Sequence, residues 1–289
     1  MQRAYEYGVL LKPKILLAML ALYVASFLGS YAYRGGGSLE LSPFLLGFAA
    51  VMAAVSGANA LNCYVDRDID ALMARTWGRP LVLGTIGPWE ALTFSAVLLA
   101  AASGISLYLG PIPFLLFAGG AGFYLLVYTV LLKRRTSLNV LATAPSVAAP
   151  AWFGWYMGGS PLYPVGLMMG LLVAIWGPLH LWSLAYAYSK DYLRVGVPML
   201  PAVLHPKRAV HGILAALALL ISSSYLLVPW TRSPVYALGV SLINAPLMAA
   251  GLRFYRTGSN RAGWWLFKLT APHIVIVLFA FTLDQMLFA

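Results

Sequence analysis

The sequence predicts an all-α fold: a polytopic membrane bundle of nine transmembrane helices with a cytoplasmic cap of polar connections. Three observations predict it. Only 9% of the 289 residues are charged and 61% are hydrophobic, whereas a soluble domain carries about 25% charged residues. With a mean hydropathy of +0.82, the chain lacks the polar groups to cover a globular surface, so its outer surface faces lipid. Its apolar runs last about 20 residues, the length that crosses a hydrocarbon core of about 30 Å. Barrel strands would be half as long and would alternate in polarity, and no such alternation is present.

The spans fall at 15–33, 42–63, 89–109, 112–132, 138–158, 162–187, 209–229, 234–252 and 264–286. Basic residues precede the first, but no small-residue cleavage site follows it, and it reads as a transmembrane helix rather than a cleaved signal. The second runs into the polar stretch Asn62 to Asp70. The fourth carries Ala118, Gly119, Gly120 and Gly122, small residues that let helices approach closely in lipid. The sixth ends in a segment rich in aromatic and charged groups, His180 to Tyr192, and Gly196 to Pro201 then reads as a rigid loop. Asp284, near the outer end of the ninth, reads as an interfacial or pairing residue. No soluble domain or long linker is visible, so residues 1–289 read as one membrane domain.

The net charge of +11 invites a nucleic-acid reading, which the distribution excludes. Arg3, Lys12 and Lys14 precede the first span. Arg67, Arg75 and Arg79 follow the second, Lys133, Arg134 and Arg135 the fourth, and Lys190, Arg194, Lys207 and Arg208 the sixth. Arg253, Arg256, Arg261 and Lys268 flank the eighth loop. Of the 19 basic residues, only Arg34 and Arg232 fall on the other side. The positive-inside rule then places the N-terminus in the cytoplasm and the C-terminus outside; the expected location is the plasma membrane. A single cysteine, Cys63, excludes an intramolecular disulfide and a cysteine metal cluster.

Chemistry concentrates at the cytoplasmic mouth. Asn62, Asp66 and Asp70 stand at i, i+4 and i+8 and share a face if the segment is helical. Carboxylates beside lipid need a partner, and the usual one is a hard divalent cation. Arg75 and Arg79 follow closely, also four apart. Carboxylates next to arginines suit a metal-bridged diphosphate, with the metal on the Asp oxygens and forked Arg donors on the remaining charge. Asp68 lies off that face and reads equally as part of an ordinary charged loop. Lys133, Arg134 and Arg135 read either as a helix-end anchor or, for Lys133 above all, as a diphosphate contact. On the sixth span, His180, Leu184, Ala187 and Asp191 share a face if the helix continues through them. Trp176, Pro178 and Trp182 near His180 hint at a large flat aromatic cavity. His205, His211 and His273 have no partner at metal-ligand spacing, and no phosphate-binding glycine loop, zinc motif or nucleophile elbow is present.

With these residues in place, the chain resembles the UbiA superfamily of intramembrane prenyltransferases, and within it the protoheme IX farnesyltransferase (heme O synthase) family. The similarity rests on Leu11-Lys12-Pro13-Lys14, Asn62 to Leu81, Tyr128 to Asn139 and His180 to Pro201. The heme-specific part is Lys133-Arg134-Arg135-Thr136 together with His180-Leu181-Trp182 and Gly196 to Pro201. Aromatic prenyltransferases of the superfamily usually carry a second D-x-x-x-D, whereas here Asp191 is flanked four residues away by Ala187 and Val195. Leu11 stands where related heme enzymes often have Thr.

The resemblance implies an Mg²⁺-dependent transfer of farnesyl from farnesyl diphosphate to a vinyl group of heme b. It implies Mg²⁺ on Asn62, Asp66 and Asp70, with Lys133 and Asp191 also catalytic. It implies substrate contacts from Lys14, Arg67, Arg75, Arg79, Tyr128, Arg134, His180, Trp182 and Lys190, His180 serving heme as an iron ligand or a propionate contact. Downstream partners would be a heme A synthase or a terminal oxidase assembly pathway. The nearest rival acceptor is 4-hydroxybenzoate or a related quinone precursor. A transporter would keep its ionisable groups near mid-membrane, but no span here has an acidic residue at its centre.

Overall fold

The computed structural model describes residues 2–37 and 39–288. The helices are α1 (Gln2–Leu10), α2 (Pro13–Tyr33), α3 (Leu41–Val65), α4 (Arg67–Asp70), α5 (Pro80–Leu83), α6 (Pro88–Leu109) and α7 (Pro111–Gly122). They continue as α8 (Ala144–Met157), α9 (Leu167–Ala187), α10 (Ser189–Arg194), α11 (Leu200–Val203), α12 (Pro206–Ser223), α13 (Val235–Thr257) and α14 (Asn260–Leu287). No strand is present among the described residues. Pro13, Pro80, Pro88, Pro111 and Pro206 each open a helix, where the missing N–H has no intrahelical acceptor to lose.

Eight helices are long and apolar enough to cross a bilayer. The expected fifth span, 138–158, differs. It begins as a 3₁₀ segment, Asn139–Thr143, and only Ala144–Met157 is regular α-helix. Asn139 is the cause of the irregular start. Its side-chain amide donates to the carbonyls of Lys133 (3.1 Å) and Thr136 (2.8 Å), closing a tight connection out of the preceding helix. The short α8 is sheltered inside the bundle, with Trp155 fully buried and Phe153 nearly so.

The core joins α2, α8, α9, α12, α13 and α14 through Leu22, Trp155, Leu172, Leu220, Val240 and Phe281. At the end where α3 and α9 finish, the connections fold into a cap. Ile69 and Met73 of the 66–87 connection cluster with Tyr192, Val197 and Met199 of the 188–205 connection. Arg194 donates to the Leu72 carbonyl across the same junction. Helix α1 lies over this end, tied down by Tyr7 donating to Glu90 (2.5 Å).

The helix does not continue from His180 through Asp191, the condition for their shared face. Helix α9 stops at Ala187, and Tyr188 adopts φ −114°, ψ 29° before α10 begins. The register from His180 to Asp191 is lost at that bend.

Candidate functional site

The three ladder residues converge at the end of α3. Helix α3 stops at Val65, yet the backbone bonds Asp66 N to Asn62 O and Asp70 N to Asp66 O, each 2.9 Å, carry the i, i+4 relationship through the turn into α4. Asn62, Asp66 and Asp70 are 4%, 1% and 4% exposed, while the Asp68 side chain is 61% exposed. One face is buried and the other is wet.

Each buried ladder group has a cationic partner. Lys133 pairs with Asp66 Oδ2, and Arg79 pairs with Asp70 Oδ2. Lys12 donates to Asn62 Oδ1 at 2.6 Å. Burial, and secondarily the nearby Arg79 and Lys133, push the Lys12 ammonium pKa down to about 8. Asn62 Nδ2 donates to Asp66 Oδ2 (2.8 Å) and Thr129 Oγ1 (3.2 Å), so the amide orients the carboxylate. Asp66 Oδ1 is buried without a hydrogen-bond partner; the nearest guanidinium nitrogen, on Arg134, is 3.9 Å away, beyond bonding reach. Asp68 is held by a two-point fork from Arg134, both bonds 2.6 Å, which keeps its carboxyl below the usual carboxylate range.

Lys133 reaches the ladder through an irregular helix. From Phe123 to Leu132 the chain widens into a π-helix, and the Lys133 N–H donates to Tyr128 O, five residues back, at 2.8 Å. Such segments add a residue per turn and recur at functional sites. Here Tyr124 and Tyr128 stack with centroids 6.0 Å apart, and Lys133 Nζ lies 5.9 Å from the Tyr128 ring centroid.

These groups head a cavity of about 450 Å³. Its polar mouth is lined by Lys12, Asn62, Asp66, Asp70, Arg79 and Lys133, with Tyr124, Tyr128 and Tyr192 beside them. One wall runs along α2, α3, α7 and α8 through Met19, Val51, Ala58, Phe117 and Phe153. The opposite wall, on α9 and α14, carries Trp176, His180, Leu184, Phe267 and Ile274. The His180 ring lies between Trp176 and Phe267, at centroid distances of 4.6 and 4.3 Å. Pockets of this kind, mostly apolar with a few convergent polar groups, are the usual form of a ligand site.

Of the residues singled out in the sequence, Lys14, Asn62, Asp66, Asp70, Arg75, Arg79, Tyr128, Lys133 and His180 line this cavity. Arg67, Arg134, Trp182, Lys190 and Asp191 do not. Arg67 bonds the Tyr64 carbonyl and covers its ring. Arg134 is engaged by Asp68. Trp182 packs in the core between α9 and the cap. Asp191 lies 3.7 Å from Arg194, one turn along α10; of the 188–205 connection, Tyr192 lines the cavity instead. Lys12, Tyr124, Tyr192 and Lys268 also line it without having been singled out as site residues. The Lys-Pro step before the first span held the signal for Lys12.

The sequence model of the UbiA prenyltransferase family matches residues 22–280. A protoheme IX farnesyltransferase from Pyrobaculum neutrophilum is 37% identical over 278 residues, covering 95% of this chain and 98% of the relative. One from Pyrobaculum islandicum is 34% identical with the same coverage, and one from Desulforudis audaxviator is 36% identical over 83% of this chain and 77% of its own. Among solved structures, a digeranylgeranylglyceryl phosphate synthase superposes with a TM-score of 0.77 at 18% identity, over 99% of both chains. A UbiA homolog from Archaeoglobus fulgidus, solved with GPP and Mg²⁺, gives 0.72 at 18% identity, over 96% of this chain and 99% of its own. At such identities the structures establish the shared fold. The chain belongs to the UbiA prenyltransferase family and is an integral membrane prenyltransferase.

Proposed function

We propose that this protein transfers a farnesyl group from farnesyl diphosphate to a vinyl group of heme b, forming heme O, with Mg²⁺ at the carboxylate cluster. The observation that carries the reading is a single cavity with a carboxylate and cation mouth and a long apolar, aromatic body. It suits a diphosphate joined to an isoprenoid, with room beside it for a flat acceptor. The names of the relatives supply the farnesyl donor and the heme acceptor.

The donor set fits Mg²⁺. No group of three His, Cys, Asp or Glu residues is arranged for a metal among the described residues. Two carboxylates and an Asn amide oxygen remain, with Asp66 Oδ1 buried and unpartnered. Magnesium favours such sparse, hard oxygen sets because it retains waters and takes substrate phosphate oxygens. When bound, it would neutralise charge on the departing diphosphate. Asp66, Asp70 and Asn62 would hold it. Lys12, Lys133 and Arg79, with Arg75 and Lys14, then face the diphosphate oxygens, stabilising the anion as the allylic C–O bond breaks.

The rings of Tyr124, Tyr128 and Tyr192 shield the allylic cation, and the apolar wall keeps bulk water from it. The vinyl group attacks the farnesyl carbon, water adds to the resulting porphyrin-side cation, and a proton is lost. In this reading residues 1–289 act as one domain in the plasma membrane, the mouth and N-terminus facing the cytoplasm and the C-terminus outside. Heme O would pass to a heme A synthase or to oxidase assembly.

The test incubates purified protein with heme b, farnesyl diphosphate and Mg²⁺. Heme O appears by mass spectrometry, EDTA abolishes it and added Mg²⁺ restores it. No heme O, with a prenylated product from 4-hydroxybenzoate instead, overturns the reading.

A further inference from the structure

His180 meets the cavity with a restricted set of atoms. Both ring faces are covered, by Trp176 and by Phe267, so only the ring edge is available to a ligand. Nδ1 is 2.7 Å from Thr270 Oγ1 on α14. The same hydroxyl lies 2.7 Å from the Phe267 carbonyl, to which it donates.

A carbonyl oxygen only accepts, and a hydroxyl has one hydrogen. With the Thr270 hydroxyl donating to Phe267 O, the bond between His180 and Thr270 takes its proton from Nδ1. In that arrangement the imidazole is the Nδ1–H tautomer, with its lone pair on Nε2. Among the described residues no protein group bonds Nε2, on a ring that lines the cavity. The Thr270 main chain reinforces the arrangement, since its carbonyl accepts from Trp176 Nε1 at 2.8 Å. One residue of α14 thus fixes both the ring that covers His180 and the proton it carries.

We propose that Thr270 is a positioning residue which, by accepting the Nδ1 proton of His180, aims the Nε2 lone pair at the iron of a metalloporphyrin acceptor lying against α9 and α14. The inference rests on the heme reading above and extends it to the geometry of the acceptor. Histidines that ligate metals commonly donate their other ring N–H to a fixed acceptor, which sets tautomer and orientation. Edge-on approach between two covered ring faces is the approach axial ligation needs, and it leaves no room for a stacked aromatic acid on His180. Holding the iron fixes the porphyrin about one axis, so that a vinyl group on its rim can be brought to the allylic carbon at the mouth.

The test compares binding of ferric heme b with that of protoporphyrin IX, which has the same ring and carboxylates but no iron. Purified full-length protein should give the absorption and EPR spectra of imidazole-ligated iron; His180→Gly should lose them, and added imidazole should restore them. Thr270→Val removes the acceptor and frees the Nε2–H tautomer, so heme binding should weaken about tenfold while protoporphyrin IX binding is unchanged. Thr270→Ser, which keeps the hydroxyl, should bind heme within about twofold of the unmodified protein. The KM for farnesyl diphosphate should stay the same in both Thr270 variants, which also reports that they are folded.

Equal weakening of heme and protoporphyrin IX in Thr270→Val would overturn the inference, because the hydroxyl would then matter only for packing. Retention of the imidazole-type spectrum in His180→Gly, in a protein that still makes heme O, would overturn it and leave the proposed function standing. If the unmodified protein binds neither porphyrin and prenylates an aromatic acid instead, the functional reading and the inference fall together.

Discussion

Lys133 and Asp66, 67 residues apart in sequence, form an ion pair at the head of the cavity, with the Asp66 side chain 1% and the Lys133 side chain 13% exposed. A buried carboxylate that loses its cation is left uncompensated, which costs about 3–5 kcal/mol. Lys133→Gln should therefore lower the melting temperature as well as the rate. Loss of a cation from the diphosphate should cost about a hundredfold in kcat. The double variant Lys133→Gln with Asp66→Asn separates the two effects, since an amide pair carries no stranded charge. Thermal melts of the double variant should recover most of the loss, whereas turnover should fall further. Recovered turnover would mean that the pair serves stability alone.

Lys12 is the other cation that long-range folding delivers to the ladder. It is the only described non-glycine residue with a positive φ, at 51°, a conformation that costs about 1–3 kcal/mol for a residue with a Cβ. Lys12→Gly keeps that backbone comfortable and removes the ammonium. Melting temperature should hold or rise, while the KM for farnesyl diphosphate should rise about tenfold, the worth of one hydrogen bond to a charged group. The KM for heme b should not move. Steady-state kinetics with each substrate varied in turn check this, and equal changes in both would place Lys12 outside the diphosphate site.

How far the sequence carried this site depends on the distance over which each signal acts. The spans were legible because each apolar run is local, and the Asn62, Asp66 and Asp70 face because backbone bonding persists across the α3–α4 turn. Lys12 was passed over because its partner, Asn62, lies 50 positions away. The shared face of His180 and Asp191 held only if the helix ran on through both, and nothing in Tyr188 marks the bend that ends it. The π-helix was hidden for another reason. Phe123 to Leu132 is apolar almost throughout, so an i, i+5 pattern has no polar residues to make its period visible. Thr270 is one of two threonines in an apolar span, and only the approach of α14 to α9 brings its hydroxyl to His180.

Asp68 and Arg134 make a well-formed fork on the wet face of α4, with side chains 61% and 39% exposed. Exposed pairs are worth little, about 0–1 kcal/mol, because water and salt screen them. Asp68→Asn should leave heme O formation within about twofold of the unmodified protein and shift the melt by no more than such a pair contributes. Asp66→Asn, two residues earlier, should abolish turnover while porphyrin binding persists. The contrast between adjacent conservative changes tests the one-face reading of the ladder. A loss in Asp68→Asn comparable to that in Asp66→Asn would overturn it.

Gly154 tests the α2–α8 packing that builds one wall of the cavity. It lies on the short α8, and a Cβ built there would collide with the backbone carbonyl of Tyr23 on α2, with the Tyr23 Cα at 3.1 Å. Backbone does not rotate away as a side chain can, so α2 and α8 would have to separate. In lipid, close van der Waals contact between small residues is a main source of helix association, and overpacking a fitted interface costs about 1–3 kcal/mol. Gly154→Ala should lower the melting temperature in detergent, and Gly154→Leu should prevent accumulation of folded protein. Gly104, on α6, has open space around its Cβ position, so Gly104→Ala serves as the control and should leave the melt unchanged or slightly raised, since alanine favours helix by about 1 kcal/mol. Equal tolerance of alanine at both positions would mean that α2 and α8 do not meet backbone to backbone.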